Sequence, residues 1–486
     1  MSKEILNLEP KAVWENFYQL TQIPRPSKKE AKIIAYMKNF GEKLGLETII
    51  DEVENVIIRK PASPGFENRK GVVLQGHLDM VPQANSDSNH NFETDPIDAY
   101  VDGDWVTARG TTLGADNGMG CAAMMTILQS KDLQHGPIEC LFTIDEETGM
   151  TGAEGLKPGF LKGDILINTD SEDEGELYFG CAGGVDANVN MNYTEIDVPQ
   201  GMQAYKLNLT GLKGGHSGMD IILGRGNSNK LLVRFIKHAI QSHGLRLANF
   251  TGGTLRNAIP RESFATVVVP VSAEKEFTEC LKKYEALYIS ELSATEPNLS
   301  FKAEKTAMPS KIMEETAQFK FVNSVYACPN GVIRMSDAMP GVVETSLNLA
   351  IVKAENGNMT VNCLLRSAVD SAKEDLGAMV ASVFELIGAE VALEGSYPGW
   401  KPNPTSPILQ TMKDVYHKMY GKTPDTKVIH AGLECGILGA AYPNWDMISF
   451  GPTIRFPHSP DEKVKIDTVQ KFWDFLVETL KNIPVK

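Results

Sequence analysis

The sequence predicts an α/β fold with a mixed central sheet flanked by helices, interrupted by an inserted α+β domain. From residue 55 to about 185, short apolar runs alternate with amphipathic segments, which is typical of an α/β sheet. Near residue 187 the pattern changes to alternating strands and longer helices, and the turn-rich stretch SYPGWKPNPTSP marks the return to the first domain. We therefore predict one domain from residues 1–186 and 400–486, and an inserted domain from residues 187–399.

The inserted domain repeats one order of predicted elements. Strands in ANVNMNYTEI and AYKLNLTGL are followed by the helix SNKLLVRFIKHAIQ, the strand FATVVVPV and the helix EKEFTECLKKYEALYISEL. The helix FKFVNSVYAC, the strands VETSLNLAIVKAE and MTVNCLLRSAV, the helix EDLGAMVASVFELIG and the strand EVALEGSY then follow in a similar order. We interpret residues 187–399 as two tandem ferredoxin-like modules, each with the βαββαβ order.

Length and composition narrow the possible folds, partners and cellular locations. The 486 residues exceed the roughly 250 to 300 that one core supports, so more than one domain is expected. A net charge of −15 disfavours nucleic acid and anionic membranes as partners, because both attract basic surfaces. The sequence has no apolar run of membrane-spanning length and no segment of signal-peptide type. Seven cysteines without a CxxC pair favour a reduced, cytoplasmic location.

Several predicted strands end in side chains that bind metals. One such ending is typical of a solvated loop, but ligands of open α/β sheets bind beyond the carboxyl ends of the strands, so endings that converge indicate a site. The residues in question follow the runs VVLQG, CLFTI, ILINT and MISF in that order: His77 and Asp79; Asp145, Glu146 and Glu147; Asp170; and, after a short loop, His458.

A further carboxylate lies in the stretch RGTTLGADNGMGCAAM. Asp116 occupies a glycine-rich turn before a helix of small residues, and taken alone it would be a helix N-cap. Together with the strand endings it completes a set of two imidazoles and three carboxylates. This mixed nitrogen and oxygen set suits zinc, with manganese or cobalt as possible alternatives. The set consists of His77, Asp116, Glu147, Asp170 and His458.

The number of ligands favours a dinuclear site. Five protein ligands divide into two for each metal and one carboxylate that bridges them. Glu146 would then be free to act as a general base on a bridging water. Asp79 lies two residues after His77, on the same side of an extended chain, where it can orient the imidazole.

With these motifs the chain resembles the aminoacylase and carnosinase family of dinuclear zinc metallopeptidases, metallopeptidase family 20. The motifs GHLDMV, GADNG, DEETG, NTDSE, GGHSG, GGTLRNAIP and PHSPDE occur in the order and approximate spacing of the family, over essentially the whole length. Within the family, HAGLECGILG and LQGHLDMVPQ are most similar to the bacterial aminoacyl-histidine dipeptidases.

The resemblance implies a zinc-peptidase-like catalytic domain with residues 187–399 as its lid. Most relatives have a single lid domain and borrow lid residues from a dimer partner, so a doubled lid implies a pseudo-dimer within one chain. The oligomeric state, monomer or homodimer, stays open. The implied roles are as follows: His77 and Asp170 bind one metal, Glu147 and His458 the other, Asp116 bridges them, and Glu146 is the general base.

Four more residues have implied substrate roles. His216, in GGHSG, would alone be a solvated histidine, but the resemblance implies that it donates to the oxyanion that develops on the scissile carbonyl. Asn257 adds a polar contact. Arg366 matches an arginine that binds the terminal carboxylate of the substrate, although a surface salt bridge accounts for it equally well. Glu434 is assigned to a substrate amine or imidazole.

These residues predict a metal-dependent dipeptidase that acts on small, unblocked peptides, Xaa-His or carnosine-like dipeptides among them. A tripeptidase, a carboxypeptidase or an N-acyl amino acid deacylase are alternatives with the same site. A binding protein that keeps the metals without catalysis is a further alternative. The adjacent Glu146 and Glu147 argue against it, because such a protein has no need of a base beside the metals.

Overall fold

The computed structural model describes residues 3–486, which form two compact units. The sequence prediction placed the domain boundaries after residues 186 and 399, and it did not assign a short segment near residue 430 to the second unit. The first unit contains the described residues up to Cys181, with Pro402–Val428 and Leu433–Lys486, and the second contains Ala182–Lys401 and Ile429–Gly432.

The first unit begins with two helices and five strands after a short 3-10 helix at Glu4–Asn7. Its helices are α1 (Lys11–Thr21), α2 (Ala31–Lys43), α3 (Ala115–Gln129) and α4 (Thr151–Gly155). Its strands are β1 (Glu47–Ile50), β2 (Val56–Lys60), β3 (Val72–His77), β4 (Ala99–Asp102), β5 (Trp105–Ala108), β6 (Ile138–Thr143), β7 (Ile165–Asn168) and β8 (Glu176–Cys181).

The second unit follows directly. Its helices are α5 (Ser228–His243), α6 (Glu274–Glu291), α7 (Glu315–Ala327) and α8 (Asp370–Glu385). Its strands are β9 (Gly183–Asn192), β10 (Glu195–Asp197), β11 (Met202–Thr210), β12 (Gly215–His216), β13 (Arg246–Gly252), β14 (Ala258–Ile259), β15 (Ser263–Pro270), β16 (Ser300–Lys305), β17 (Lys311–Met313), β18 (Gly331–Met335), β19 (Val343–Glu355), β20 (Asn358–Ser367) and β21 (Glu390–Tyr397).

The chain then completes the first unit. The remaining elements are α9 (Pro407–Tyr420), β22 (Asp425–Ile429), α10 (Glu434–Ala441), β23 (Asp446–Ser449), β24 (Ile454–Arg455), β25 (Lys463–Lys465) and α11 (Ile466–Lys481). In the part of the chain that the structure describes, no helix has the length and apolar character needed to cross a membrane.

The central sheet of the first unit is mixed, with the strand order β1-β2-β6-β3-β7-β23-β8-β22. β3 runs parallel to β6 and β7, and β23 runs parallel to β7, whereas β2 and β8 pair in the antiparallel sense. The helix α3 is buried along almost its whole length and packs against β3 and α1. The predicted α/β fold with a mixed central sheet and helices is therefore confirmed. Since the four parallel strands share one direction, their carboxyl ends meet at one edge of the sheet.

The second unit is built on one sheet with the order β16-β11-β15-β13-β19-β20-β9-β21. Half of the sheet, with α5 and α6, forms one ferredoxin-like module, and the other half, with α7 and α8, forms a second module with the same strand order. β13 and β19 join the two halves.

The modules are nested rather than tandem as predicted. β9 is the first strand of the second module, and the whole first module is inserted after it. The prediction placed β9 and β11 in the same module, because the two strands are neighbours along the chain and have the same alternating pattern. β9 pairs instead with β20 and β21, and an alternating pattern specifies a buried face but not a partner strand.

Candidate metal centre

The carboxyl edge of the parallel strands brings the five predicted metal ligands together. They form two groups of three, and within each group the possible ligand atoms all lie within 4.8 Å of one another. One group is His77, Asp116 and Asp170, and the other is Asp116, Glu147 and His458.

Asp116 belongs to both groups, and each of its carboxylate oxygens faces a different histidine. Oδ1 lies 3.1 Å from Nε2 of His77, and Oδ2 lies 3.3 Å from Nε2 of His458. His77 Nε2 is also 3.3 Å from Oδ1 of Asp170, and His458 Nε2 is 2.9 Å from Oε2 of Glu147. A carboxylate with its two oxygens divided in this way has the arrangement required to bridge two cations.

Local backbone conformation places these side chains. Asp116 and Asn117 depart from helical geometry at the start of α3. The side chain of Asn117 donates to Asp170 and to the carbonyl of Thr169, which fixes the loop after β7. His458 has a φ of 60°, a left-handed conformation that is uncommon outside glycine and is often found at functional sites.

Asp79 connects His77 to the loop that carries the two glutamates. Nδ1 of His77 lies 3.1 Å from the carbonyl oxygen of Asp79 and 3.3 Å from its carboxylate. That carboxylate also accepts the backbone N–H groups of Glu146 at 3.0 Å and Glu147 at 3.3 Å, and the hydroxyl of Ser27 at 2.8 Å. Burial opposes its ionisation, but these hydrogen bonds and His77 together lower the pKa of Asp79.

The donor set fits divalent cations. Burial raises the pKa of Glu146 well above its usual value and that of Asp170 to about 7, and although His77 opposes both shifts, the neighbouring carboxylates reinforce them. Glu147 Oε1 is buried and has no hydrogen-bond partner among the described residues. A cluster of buried carboxylates with an orphaned oxygen is stabilised when cations supply the missing positive charge.

The two carboxylate oxygens of Glu434 differ, because the central sheet holds Oε2 whereas Oε1 has no hydrogen-bond partner among the described residues. Glu434 is 0% exposed at the start of α10, where Oε2 accepts hydrogen bonds from Gln75 at 2.5 Å and from Thr143 at 2.8 Å. These two residues lie on β3 and β6, just before the strand ends that carry the candidate ligands. Burial raises the pKa of Glu434 to about 8.

The second unit holds the remaining predicted residues. The backbone N–H groups of Gly218 and Met219 donate to Nδ1 of His216, and burial, followed by the positive charge of Arg366, lowers the pKa of this imidazole. The neutral ring therefore carries its proton on Nε2, where it is a hydrogen-bond donor. Asn257 is exposed, and its carbonyl accepts the N–H of Ser217 beside His216.

Arg366 lies in a buried polar cluster of the second unit. It is 5% exposed, and its guanidinium contacts the hydroxyls of Ser217 at 3.5 Å and Tyr397 at 3.2 Å. His430 is buried, and its Nε2 lies 2.7 Å from the hydroxyl of Ser346. Burial, followed by Arg366 and His216, lowers the pKa of His430 to about 3.

Known proteins match the chain over its full length. A model of peptidase family M20/M25/M40 matches residues 73–482. The cytosol non-specific dipeptidase of Escherichia coli strain K12 is 47% identical over 483 residues, which cover 99% of this chain and 100% of that protein. The crystal structure of an aminoacylhistidine dipeptidase from Vibrio alginolyticus is 51% identical with a TM-score of 0.95, and the match covers 100% of this chain and 99% of that one.

These matches define the chain as a metal-dependent peptidase, a hydrolase. It belongs to peptidase family M20/M25/M40, and the resemblance predicted from its motifs is confirmed. A tripeptidase structure from Staphylococcus aureus, 16% identical with a TM-score of 0.57 over 98% of this chain and 99% of that one, shows a shared fold alone.

Proposed function

We propose that this metallopeptidase binds two divalent cations, preferably zinc, and hydrolyses unblocked dipeptides, Xaa-His and carnosine-like dipeptides among them. The predicted class of metal-dependent dipeptidase agrees with both full-length relatives, a non-specific dipeptidase and an aminoacylhistidine dipeptidase. The observation that carries the two-metal proposal is the division of the Asp116 oxygens between His77 and His458.

The ligand assignment follows the two groups. His77 and Asp170 would hold one cation with Oδ1 of Asp116, and Glu147 and His458 would hold the other with Oδ2. The mixed imidazole and carboxylate set suits zinc, and it also accommodates manganese or cobalt. Asp79 is a positioning residue, because it contacts the far nitrogen of His77 and holds the backbone of the glutamate loop.

Catalysis then depends on Glu146. A bound pair of divalent cations supplies polarisation of the scissile carbonyl and a lowered pKa for water. One Glu146 carboxylate oxygen lies within 4.8 Å of the ligand atoms of His77 and Glu147, so it can reach a water among these ligands. Glu146 accepts a proton as the water oxygen attacks the carbonyl carbon, and it returns that proton to the amine nitrogen as the peptide C–N bond breaks.

Residues of the second unit complete the proposal. His216 donates its Nε2 proton to the developing oxyanion, a contact that typically contributes about 3 kcal/mol. Among the described residues the guanidinium of Arg366 contacts hydroxyl groups and no carboxylate, so the terminal carboxylate of a peptide would be its ionic partner. Asn257 adds a polar substrate contact. In the first unit, Glu434 would accept from a substrate amine or imidazole through Oε1, which has no hydrogen-bond partner among the described residues, while Gln75 and Thr143 hold Oε2.

The test is a panel of peptides offered to the metal-loaded protein. Free dipeptides with and without a carboxyl-terminal histidine are compared with tripeptides, N-acetylated dipeptides and N-acyl amino acids, and the products are identified by mass spectrometry. Fast cleavage of free dipeptides that a chelator abolishes is the expected result. A preference for blocked amino termini, or for tripeptides, would assign the site to a deacylase or a tripeptidase instead.

We also propose a cytoplasmic location and small peptides as the partners of the site. None of the cysteines in the described part of the chain forms a disulfide bond, which suits a reducing compartment, and the Escherichia coli relative is named for the cytosol. Sedimentation of the purified protein distinguishes the two proposed oligomeric states, monomer and homodimer.

A further inference from the structure

We propose that two buried charged side chains, Arg25 and Glu462, are positioning residues. They fix the backbone of residues 113–116, the Asp116 loop, and so set the position of the Asp116 carboxylate between the two groups of candidate metal ligands. Both residues are 2% exposed, and neither belongs to the candidate ligand set. The inference rests on the proposed two-metal function of Asp116. It concerns the backbone that carries this residue, rather than the ligands themselves.

Glu462 holds the start of α3 with a single carboxylate. It lies four residues after His458, so it connects the segment that carries one candidate ligand to the loop that carries another. The first N–H groups of a helix have no partner within the helix, and a carboxylate at this position is favourable for both charge and hydrogen bonding. Oε2 accepts the N–H groups of Leu113 at 2.8 Å and Gly114 at 2.9 Å, and Oε1 accepts those of Ala115 at 2.8 Å and Asp116 at 3.2 Å.

Arg25 holds the same loop from the other side. Its Nη1 donates to the carbonyl oxygens of Leu78 and Asp79, at 2.9 Å in each case, immediately after His77. Its Nη2 donates to the carbonyl oxygen of Gly114. The guanidinium therefore connects the end of β3 to the Asp116 loop.

Gly114 is the point at which both contacts meet. Its N–H donates to Glu462 and its carbonyl accepts from Arg25, so both polar groups of one residue are fixed by buried charges. A Cβ atom at Gly114 would lie 2.6 Å from Nη2 of Arg25 and 2.9 Å from the sulfur of Met80, and the φ of 71° also favours glycine. The glycine permits the close approach of the guanidinium.

These contacts form a continuous chain from one histidine ligand to the other. The end of β3 beside His77 is bound by Arg25, Arg25 binds Gly114, Glu462 binds the Gly114–Asp116 backbone, and Glu462 is joined covalently to the His458 segment. A bridging carboxylate must reach two cations at once, so it tolerates little movement of its own backbone. Residues that orient metal ligands typically change metal affinity by about 10- to 100-fold when they are replaced.

The experiment compares Glu462→Gln with Asp461→Asn. The glutamine keeps the shape of the side chain, but its amide nitrogen faces two backbone donors, so two of the four hydrogen bonds are lost. Asp461 is the exposed neighbour, and its replacement removes the same charge without touching the loop. Zinc-loaded proteins are dialysed against graded chelator concentrations, and bound zinc is measured by elemental analysis, with circular dichroism to confirm the fold.

The expected result is that folded Glu462→Gln loses zinc at chelator concentrations about 10- to 100-fold lower than wild type, whereas Asp461→Asn behaves as wild type. If Glu462→Gln does not fold, Arg25→Lys provides the same comparison, because lysine keeps the charge and loses the fork that spans Leu78, Asp79 and Gly114. Wild-type zinc affinity in the folded variant would overturn the inference even if the variant melts at a lower temperature. A wild-type protein that binds fewer than two metals would overturn the proposed function and this inference together.

Discussion

Replacement of Asp79 by asparagine tests how the first unit orients its metal ligands. The substitution keeps the size of a side chain that is 0% exposed and removes its charge. In the native protein this carboxylate uses both oxygens, Oδ1 for the N–H of Glu146 and Oδ2 for the N–H of Glu147 and the hydroxyl of Ser27. An asparagine has one acceptor oxygen, so its amide nitrogen must face a donor.

Two separate effects follow from these contacts. One buried N–H loses its acceptor, which lowers the free energy of unfolding of the metal-free protein by about 1 to 3 kcal/mol. His77 also loses the carboxylate beside Nδ1, and the loss of such a partner weakens metal binding by about 10- to 100-fold, or roughly 1.4 to 2.7 kcal/mol. The second effect is absent from the metal-free protein, so the two can be measured independently.

Urea unfolding of the metal-free protein measures the first effect, and zinc titration against a competing chelator measures the second. Asp87→Asn, on an exposed loop, is the matched control, and it should change neither quantity. A zinc affinity of Asp79→Asn within about twofold of wild type would refute the assignment of Asp79 as the residue that orients His77.

Four further results are expected. Glu146→Gln should keep both metals and lower kcat at least about 100-fold, as measured by elemental analysis and dipeptide turnover, and near-normal turnover would remove Glu146 as the base. Arg366→Lys should lower kcat/KM for free dipeptides more than for dipeptide amides, because lysine lacks the planar fork; an equal effect on both would exclude recognition of the carboxylate. The pKa of His430 is about 3 in the folded protein, against 6.5 for an ordinary histidine, so the unfolded chain binds more protons between these values and stability is lost as pH falls from about 6.5 towards 3. His430→Gln should remove up to roughly 5 kcal/mol of this acid sensitivity in pH-dependent unfolding, and an unchanged profile would contradict the buried, neutral imidazole. Gly120→Ala should destabilise the protein by about 1 to 3 kcal/mol in thermal unfolding, because the new methyl group would overlap Thr169 and Asn117, and an unchanged melting temperature would show that this packing is loose.

The candidate metal centre was accessible from the sequence because it lies at the ends of parallel strands. His77 ends β3, and Asp170 follows β7 by two residues, so identifying the strands was sufficient to place these side chains at one edge of the sheet. Asp116 required the motif around it as well as the ligand count. Neither the motif nor the ligand count shows which oxygen of Asp116 faces which histidine, and the structure supplies this information.

The pairing of strands that are distant in the chain could not be predicted from the sequence in the same way. The strand bounds of β19 and β21 agree with the predicted segments, yet the nesting of the two modules depends on β9 pairing with strands about 170 or more residues away. Arg25 and Glu462 were missed for a related reason. Their partners are backbone groups of distant loops, and the sequence carries no side-chain signal for a backbone contact.

The central claim is that the carboxylate of Asp116 bridges two divalent cations. X-ray absorption spectroscopy of the protein loaded with zinc measures this most directly, because it reports scattering between the two metals. The account predicts two zinc ions per chain, each with nitrogen and oxygen ligands, separated by about 3.5 to 4 Å, and loss of this metal-metal signal in Asp116→Ala. A single zinc ion per chain, or two ions without a metal-metal signal in wild type, would contradict it.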